Sequence, residues 1–176
     1  IDEIFYLDIV ASLYDRNSLT EIIDKTTRNV FVPITVGGGL RSIEDVSQVL
    51  RCGADKVSIN TAAIKNPNVI TSVARRFGNQ CMVLSIEAKK KIDHWEAYYD
   101  NGREPSGLNV VDWAIEGEKR GAGEIILTSV DQEGTGRGFD TDLVDAVTSS
   151  VDIPVVASGG MGQLDHLFDV ITKGRA

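Results

Sequence analysis

The sequence lacks any apolar run near the ~18 residues of a membrane-spanning helix, and its opening, IDEIFYLDIV, lacks the basic start and cleavage site of a signal peptide. We therefore expect a cytoplasmic protein. It also lacks a basic stripe, and its net charge of −8 argues against a nucleic-acid-binding surface. Cys52 and Cys81 are isolated, which predicts neither a disulfide framework nor a metal site. We expect no metal and no cofactor.

The sequence does contain an internal repeat. VPITVGGGLRSIEDVSQVLRCGAD recurs weakly as IPVVASGGMGQLDHLFDVITKGRA. The matching prolines and glycines keep a constant offset of 121 residues, as from Pro33 to Pro154. Upstream, the alignment continues with one extra residue in the second copy and pairs Leu7 with Leu127. Because each copy reads as strand, helix, strand and helix, the repeat predicts a fold of two similar halves.

Short apolar or β-branched segments alternate along the chain with segments of helical spacing. This alternation is typical of βαβ units and a parallel sheet buried on both faces. After the fourth strand, WEAYYDNGRE has aromatic alternation around Asn101 and Gly102, which indicates an inserted β-hairpin. The predicted strands lie near residues 4–9, 31–36, 55–60, 81–87, 124–129 and 153–157. Helical spacing falls within residues 19–26, 43–50, 69–77, 113–117, 143–147 and 164–168.

Six consecutive βα units with a half-and-half repeat indicate the (β/α)8 TIM-barrel family, whose members usually have ~250 residues. The alternative is an open doubly wound sheet, but that fold does not explain the four-unit period. We expect residues 1–176 to form a single domain, an incomplete barrel of approximately strands 2 to 7. The first βα unit and the last strand and helix would then be missing from this piece.

An incomplete barrel would leave unpaired sheet edges at the strands near 4–9 and 153–157. It would also expose an inner face, on which we expect Val57, Val83 and Val155. Pairing of edges between copies would satisfy both defects. We therefore expect the piece to form a homo-oligomer.

Two glycine clusters follow predicted strands directly. Glycines at such a strand-to-helix turn let a phosphate approach main-chain N–H groups at the positive end of a helix. Two symmetric clusters predict a ligand with a phosphate at each end, whereas the alternative is that these glycines only permit tight turns. The candidate phosphate ligands are Gly39 with Asn60 and Thr61 at the first cluster, and Gly159 and Gly160 with Thr128 at the second.

Carboxylates gather at the same predicted end of the sheet. Asp8 ends the first strand, Glu87 ends the fourth, and Asp131 and Glu133 follow the fifth. An isolated Asp at a strand end is as often a helix cap as a catalyst. Glu87 is the stronger candidate. A carboxylate at the end of an apolar strand is expected to have a raised pKa, which suits general acid/base catalysis.

Five phrases carry a specific resemblance that covers essentially the whole chain. PITVGGGLRS, ADKVSINTAAIKNP, FGNQCMVLSIEAK, EKRGAGEIILTSVDQEGTGRGFD and IPVVASGGMG together resemble the cyclase subunit of imidazole glycerol phosphate synthase, in histidine biosynthesis. The related isomerase of the preceding step shares the doubled barrel and the paired phosphate sites. It lacks the SINTAA and GAGEIILTS phrases as they stand in this sequence, so it ranks second. A non-catalytic phosphate-binding barrel is the remaining alternative.

The resemblance implies a reaction. Ammonia from a glutaminase partner would pass through the barrel to a bis-phosphorylated formimino aminoimidazole carboxamide ribulotide. The products would be imidazole glycerol phosphate and aminoimidazole carboxamide ribotide. By matching motif, Glu133, Glu87 and Asp8 would be the catalytic or active-site carboxylates. The phosphates would be held by Gly39, Asn60 and Thr61, and by Thr128, Gly134 and Gly160.

The chain departs from this family at two positions. The family usually has Asp where this chain has Glu87 and Glu133. Each change keeps the charge but moves the carboxylate by roughly one C–C bond, and a ~1 Å misplacement can lower a rate ~10²-fold. Another usual catalytic Asp would lie before Ile1, so we expect the 176-residue piece to be inactive by itself.

At the opposite end of the barrel, the family closes its ammonia entrance with a ring of charged residues. Glu3, Lys56 and Glu124 match three members of this ring at strand starts. Asp55 matches an acidic residue that faces the glutaminase partner. From the residues alone, ordinary strand-end salt bridges are an equally good explanation.

Overall fold

The chain forms one mainly parallel sheet flanked by helices. The computed structural model describes residues 2–8 and 19–176, with only the backbone for residues 19–21. The strands are β1 (Ile4–Leu7), β2 (Ile34–Gly37), β3 (Lys56–Ile59), β4 (Met82–Lys90), β5 (Trp95–Tyr99), β6 (Glu104–Asn109), β7 (Glu124–Ser129) and β8 (Val155–Ser158). The helices are α1 (Leu19–Thr27), α2 (Ile43–Arg51), α3 (Thr61–Lys65), α4 (Asn68–Phe77), α5 (Val110–Arg120), α6 (Thr141–Thr148) and α7 (Asp165–Thr172), with a 3₁₀ turn at Asn79–Cys81.

The strand order confirms the predicted fold class. Parallel pairing runs β1-β2-β3-β4-β7-β8, and β5 and β6 form an antiparallel hairpin that extends from β4. All six predicted βα units and the inserted hairpin are therefore present. This is the α/β arrangement of the (β/α)8 family. Ile9, the predicted end of the first strand, lies outside the described residues, and helix α3 was not predicted.

One face of the sheet packs against the helices. On β4, Leu84 lies so close to α5 that a Cβ on Gly117 would come within 2.2 Å of its Cδ2 atom. Ile86 and Ala88 share this face and are fully buried. Because side chains alternate along a strand, Val83, Ser85 and Glu87 point to the opposite side. We call that side the inner face. It also includes the residues that pair with these three on the neighbouring parallel strands.

The register corrects one expectation about the inner face. Lys56 and Ser58 lie on it, because Ser58 pairs with Val83. Val57 therefore faces the helices, and Val155 does too, since it pairs with Ile125 opposite Leu84. Only Val83 of the three expected valines is on the inner face. A one-residue error in the predicted strand position reverses every side chain.

The strand registers confirm the internal repeat in three dimensions. Ile4 pairs with Ile34 and Ile125 pairs with Val155, which keeps the same offset of 121 residues in both strands. The structural equivalent of Leu7 is therefore Thr128, and the alignment of Leu7 with Leu127 is wrong by one residue. Because the spacing between the paired strands is the same in both copies, the second copy has no extra residue there. None of the described helices is long and apolar enough to cross a membrane.

Candidate functional site

The first glycine loop lies against the carboxyl end of β1. Gly38 and Gly39 have positive φ angles of 96° and 70°, which favour glycine. A Cβ on Gly38 would lie 2.1 Å from the carbonyl oxygen of Asp8. After this loop, a capping box begins α2. The Ser42 hydroxyl accepts from the N–H of Asp45, and the Asp45 carboxylate accepts from the N–H of Ser42. The loop thus brings main-chain amides and a helix start to one spot.

A cavity of about 370 Å³ opens between this loop and β4. Five predicted site residues line it together: Asp8, Gly39, Asn60, Thr61 and Glu87. The lining residues that were not predicted as site residues include Arg41, Lys65, Asp100 and Asn101. The first two bring positive charge to the cavity. The last two belong to the tip of the β5–β6 hairpin.

Glu87 is half-buried and held by two donors. Its Oε2 atom accepts from the Asn60 side-chain amide at 2.8 Å and from the Gly102 N–H at 2.7 Å. Burial raises the pKa of Glu87 above its usual value, while these two hydrogen bonds act in the opposite direction. The nearby Asp100 carboxylate adds to the rise. A carboxyl group with a raised pKa is suited to proton transfer near neutral pH.

The hairpin tip covers the side chains that β3 presents at its end. The Asn60 amide also donates to the carbonyl oxygen of Tyr98 at 3.1 Å. The Thr61 hydroxyl accepts from the N–H of Asp100 at 3.1 Å. Asn60 and Thr61, the two predicted side-chain ligands of the first phosphate site, therefore already have protein partners. The hairpin itself was predicted, but its contacts with the cavity were not.

The second glycine loop packs against the loop that follows β7. Gly159 and Gly160 have φ angles of 91° and 101°. A Cβ on Gly160 would lie 2.0 Å from the carbonyl oxygen of Gly138, and one on Gly159 would lie 3.0 Å from Glu133 Oε2. The exposed Glu133 therefore sits over the second glycine loop.

The predicted residues form two groups that meet at β4 and β7. Glu133, Gly134, Gly159 and Gly160 are not among the residues that line the 370 Å³ cavity. Thr128 connects the groups, because it pairs with Glu87 across adjacent parallel strands. Paired residues of parallel strands point to the same face, so Thr128 is beside Glu87 on the inner face.

At the other end of the inner face, Lys56 bridges two carboxylates. Its Nζ atom lies 2.9 Å from Glu3 Oε2 and 2.6 Å from Glu124 Oε2. Glu3 and Glu124 are equivalent positions of the repeat, again 121 residues apart. The Thr35 hydroxyl also donates to Glu3. The structure thus brings the three predicted ring residues together.

The bridge shifts the pKa values of its members. Burial lowers the pKa of Lys56, but hydrogen bonds to Glu124 and Glu3 outweigh it and raise the pKa above the usual value. Burial likewise raises the pKa of Glu3, but hydrogen bonds from Lys56 and Thr35 bring the pKa below its usual value. Asp55, the predicted partner-facing acid, is exposed, and its carboxylate accepts from the Ile34 N–H at 2.8 Å.

Replacing Lys56 with Met should lower the free energy of unfolding. Its side chain is only 22% exposed and those of Glu3 and Glu124 are 32% and 16% exposed, so the variant would leave two confined carboxylates facing each other. Breaking a buried pair costs ~3–5 kcal/mol, and partial exposure here reduces the expectation to about 2 kcal/mol. Chemical denaturation at pH 7 measures it.

Lys173→Met is the matched control. Its ion pair with Asp169 joins side chains that are 65% and 42% exposed, and such surface pairs contribute ~0–1 kcal/mol. Equal stability losses in the two lysine variants would show that the Lys56 bridge adds no more than a surface pair.

The fold and the two loops define a class of protein. Glycine loops at equivalent strand ends of a repeated, parallel α/β sheet are typical of phosphate-binding barrels. The chain belongs to the histidine biosynthesis protein family, whose model matches residues 1–176. Within that family it is similar to the cyclase subunits, which are lyases.

Three relatives illustrate this similarity, and each is an imidazole glycerol phosphate synthase subunit HisF. The Legionella pneumophila protein is 65% identical over 166 residues, which are 94% of this chain and 78% of that protein. The Prochlorococcus marinus (strain AS9601) protein is 48% identical over 99% of this chain and 70% of its own length. The Trichormus variabilis protein is 47% identical with the same coverage. These names favour the cyclase over the isomerase.

Proposed function

We propose that this chain uses ammonia to convert a bis-phosphorylated formimino aminoimidazole carboxamide ribulotide into imidazole glycerol phosphate and aminoimidazole carboxamide ribotide. The observation that carries the proposal is the cavity that Glu87 lines together with Asp8 and the first glycine loop. Glu87 combines partial burial, a raised pKa and fixed hydrogen bonds. The similarity to HisF subunits supports this reaction.

The two glycine loops would bind the two phosphates. Main-chain amides at Gly39 and at Gly160 would provide the donors. Thr61 at the start of α3 and Thr128 on β7 would contribute hydroxyl groups. Arg41 and Lys65 line the cavity at the first loop and would neutralise part of the phosphate charge. Gly134 and Gly159 shape the second site from the loops after β7 and β8.

The carboxylates would carry out the proton transfers. Ring formation requires groups that remove protons from nitrogen and return them to the leaving group. Glu87, with its raised pKa, would hold a proton for part of the cycle. Glu133, over the second glycine loop, would act from the other side of the substrate, and Asp8 would line the cavity beside Glu87.

The inner face of β3 offers a route for ammonia. Lys56, Ser58 and Asn60 follow one another on this face, which spans about 13 Å at ~3.3 Å per residue. Ser58 Oγ and Asn60 Oδ1 are buried, and no described residue donates to them. Buried acceptors without partners are costly, and ammonia could donate to both. The Lys56 bridge would close the entrance.

A glutaminase subunit would dock at the end of the sheet where the Lys56 bridge lies. It would release ammonia next to Glu3 and Glu124, and the exposed Asp55 would face it. We place this assembly in the cytoplasm, where thiols such as Cys52 and Cys81 remain reduced.

We also propose association between copies of the 176-residue chain through the strands β1 and β8. Each pairs on one side only within the described residues. The exposed fractions of Leu7 and Val156 on these strands are 46% and 45%. Light scattering after size exclusion at micromolar concentration should give a mass of at least twice 19.1 kDa. A folded monomer would contradict this proposal.

Turnover by the full-length chain with an ammonium salt tests the proposed function. The two products should form in equal amounts, and the rate should rise with the concentration of unprotonated ammonia. Binding of the bis-phosphorylated substrate without product would instead support a non-catalytic phosphate-binding barrel. The reason to consider that second function is that Glu87 and Glu133 stand where the resemblance implies Asp.

A further inference from the structure

The tip of the β5–β6 hairpin has an unusual backbone. Asp100, Asn101 and Gly102 have φ angles of 53°, 57° and 71°, so three consecutive residues are left-handed. Asp and Asn are the side chains that tolerate this region best. The conformation directs two of the three amides to the site: Asp100 N–H donates to Thr61 and Gly102 N–H donates to Glu87.

These contacts define how Glu87 is held. Gly102 and Asn60 both donate to the same carboxylate oxygen, Oε2, at 2.7 and 2.8 Å. Within the described residues, no hydrogen bond is made to Oε1. The carboxylate is therefore fixed through one oxygen, and the other remains for exchange of a proton with a ligand in the cavity.

We propose that the hairpin tip, residues 100–102, positions the carboxylate of Glu87 for proton transfer through the Gly102 N–H. The inference rests on the proposed function for the meaning of that proton transfer. It assigns the tip a positioning role, since Gly102 acts on the substrate only through Glu87.

The base of the hairpin is anchored well enough to place its tip. The Trp95 indole N–H donates to Asp140 Oδ2 at 2.9 Å, and Asp140 also caps α6. The Lys90 N–H donates to Asp131 Oδ2 at 2.7 Å, which joins β4 to the loop after β7. A Cβ on Gly102 would lie 3.2 Å from the Val130 side chain. The hairpin is thus fixed against the second half of the site.

Charged groups from several elements face Glu87. Asp100 of the tip raises the pKa of Glu87. Asp8 after β1, Arg41 after the first glycine loop and Lys65 on α3 line the same cavity. Tyr98 pairs with Glu87 across β4 and β5. Because Asp100 and Gly102 both belong to the tip and both act on Glu87, the tip contributes a charge as well as a hydrogen bond.

Nuclear magnetic resonance of the full-length chain tests the positioning directly. An amide hydrogen bonded to a carboxylate changes its chemical shift when that carboxylate is protonated. The Gly102 amide proton should therefore titrate with the same midpoint as the Glu87 carboxyl carbon. In Glu87→Gln this titration should disappear. A Gly102 amide shift that stays flat while the Glu87 carbon titrates would overturn the inference.

Asp100→Asn adds the link to turnover. Asn keeps the size, the main-chain amide and the tolerance of a left-handed φ but removes the charge. The midpoint of Glu87 and the acidic limb of the pH–rate profile should both move to lower pH. Glu104→Gln, an exposed acid on β6, should move neither. If the midpoint moves and the pH–rate profile does not, the positioning holds and the proton-transfer role proposed for Glu87 is wrong.

Discussion

Glu87→Gln in the full-length chain should lower turnover with ammonium by about 100-fold or more, because a positioned acid/base group contributes ~10²–10⁴-fold. Gln keeps the shape, and its carbonyl oxygen can still accept from Asn60 and Gly102. Substrate affinity should therefore change little. Steady-state kinetics separate the two effects, since kcat should fall while KM stays within a few-fold. An unchanged kcat would remove Glu87 from the mechanism.

The same variant should be more stable than the parent at neutral pH. Because the pKa of Glu87 is raised in the folded state, its contribution to stability is full below the unfolded pKa of ~4.3. It is lost as the pH rises through the folded pKa. Removing the charge should raise the unfolding free energy at pH 7 by about 1 kcal/mol, and this gain should vanish at pH 4. Urea denaturation at both pH values measures it.

Glu104→Gln is the matched control for both effects of Glu87→Gln. It makes the same chemical change at an exposed site on the same hairpin. It should alter neither kcat nor the pH dependence of unfolding. A stability gain in the control as large as that in Glu87→Gln would point to net charge rather than burial.

Glu133→Gln should lower turnover by about 100-fold or more as well. Glu133 lies over the second glycine loop. A Cβ placed on Gly159 would be 3.0 Å from the Oε2 atom of Glu133. If it transfers a proton, the loss should appear in kcat, and binding of the bis-phosphorylated substrate by calorimetry should be nearly unchanged. Loss of substrate affinity at full kcat would instead make Glu133 a residue that shapes the second phosphate site.

Glu133→Asp separates position from charge. It introduces the shorter acid that the resemblance implies at this position. The carboxylate moves by roughly one C–C bond, and a ~1 Å displacement can cost ~10²-fold. A kcat below that of the parent would show that this chain has adapted its site to Glu. A higher kcat would show that Glu133 is a departure that weakens the activity.

The fold and the grouping of site residues followed from sequence patterns because parallel strands end at one side of a sheet. Asp8, Asn60 and Glu87 could be placed together from strand ends alone, and they share the cavity. The glycine loops were recognisable from the repeat. The short helix α3 was missed because its five residues are too few to show a helical period.

Other features depend on tertiary packing that local patterns do not encode. The contact between Gly102 and Glu87 joins the tip of the hairpin to the strand β4. Its only local signal was the Asn-Gly turn. Arg41 and Lys65 reach the cavity from a loop and a helix. The side of the sheet on which Val57 lies depends on a one-residue register, which apolar runs do not specify.

Isotope tracing with ¹⁵N-ammonium tests the central claim most directly. The full-length chain should incorporate one ¹⁵N into the imidazole ring of imidazole glycerol phosphate. The released aminoimidazole carboxamide ribotide should carry none, because its nitrogens all come from the substrate. Mass spectrometry of both products distinguishes the outcomes. Unlabelled imidazole product, or no imidazole product while the substrate remains bound, would contradict the account.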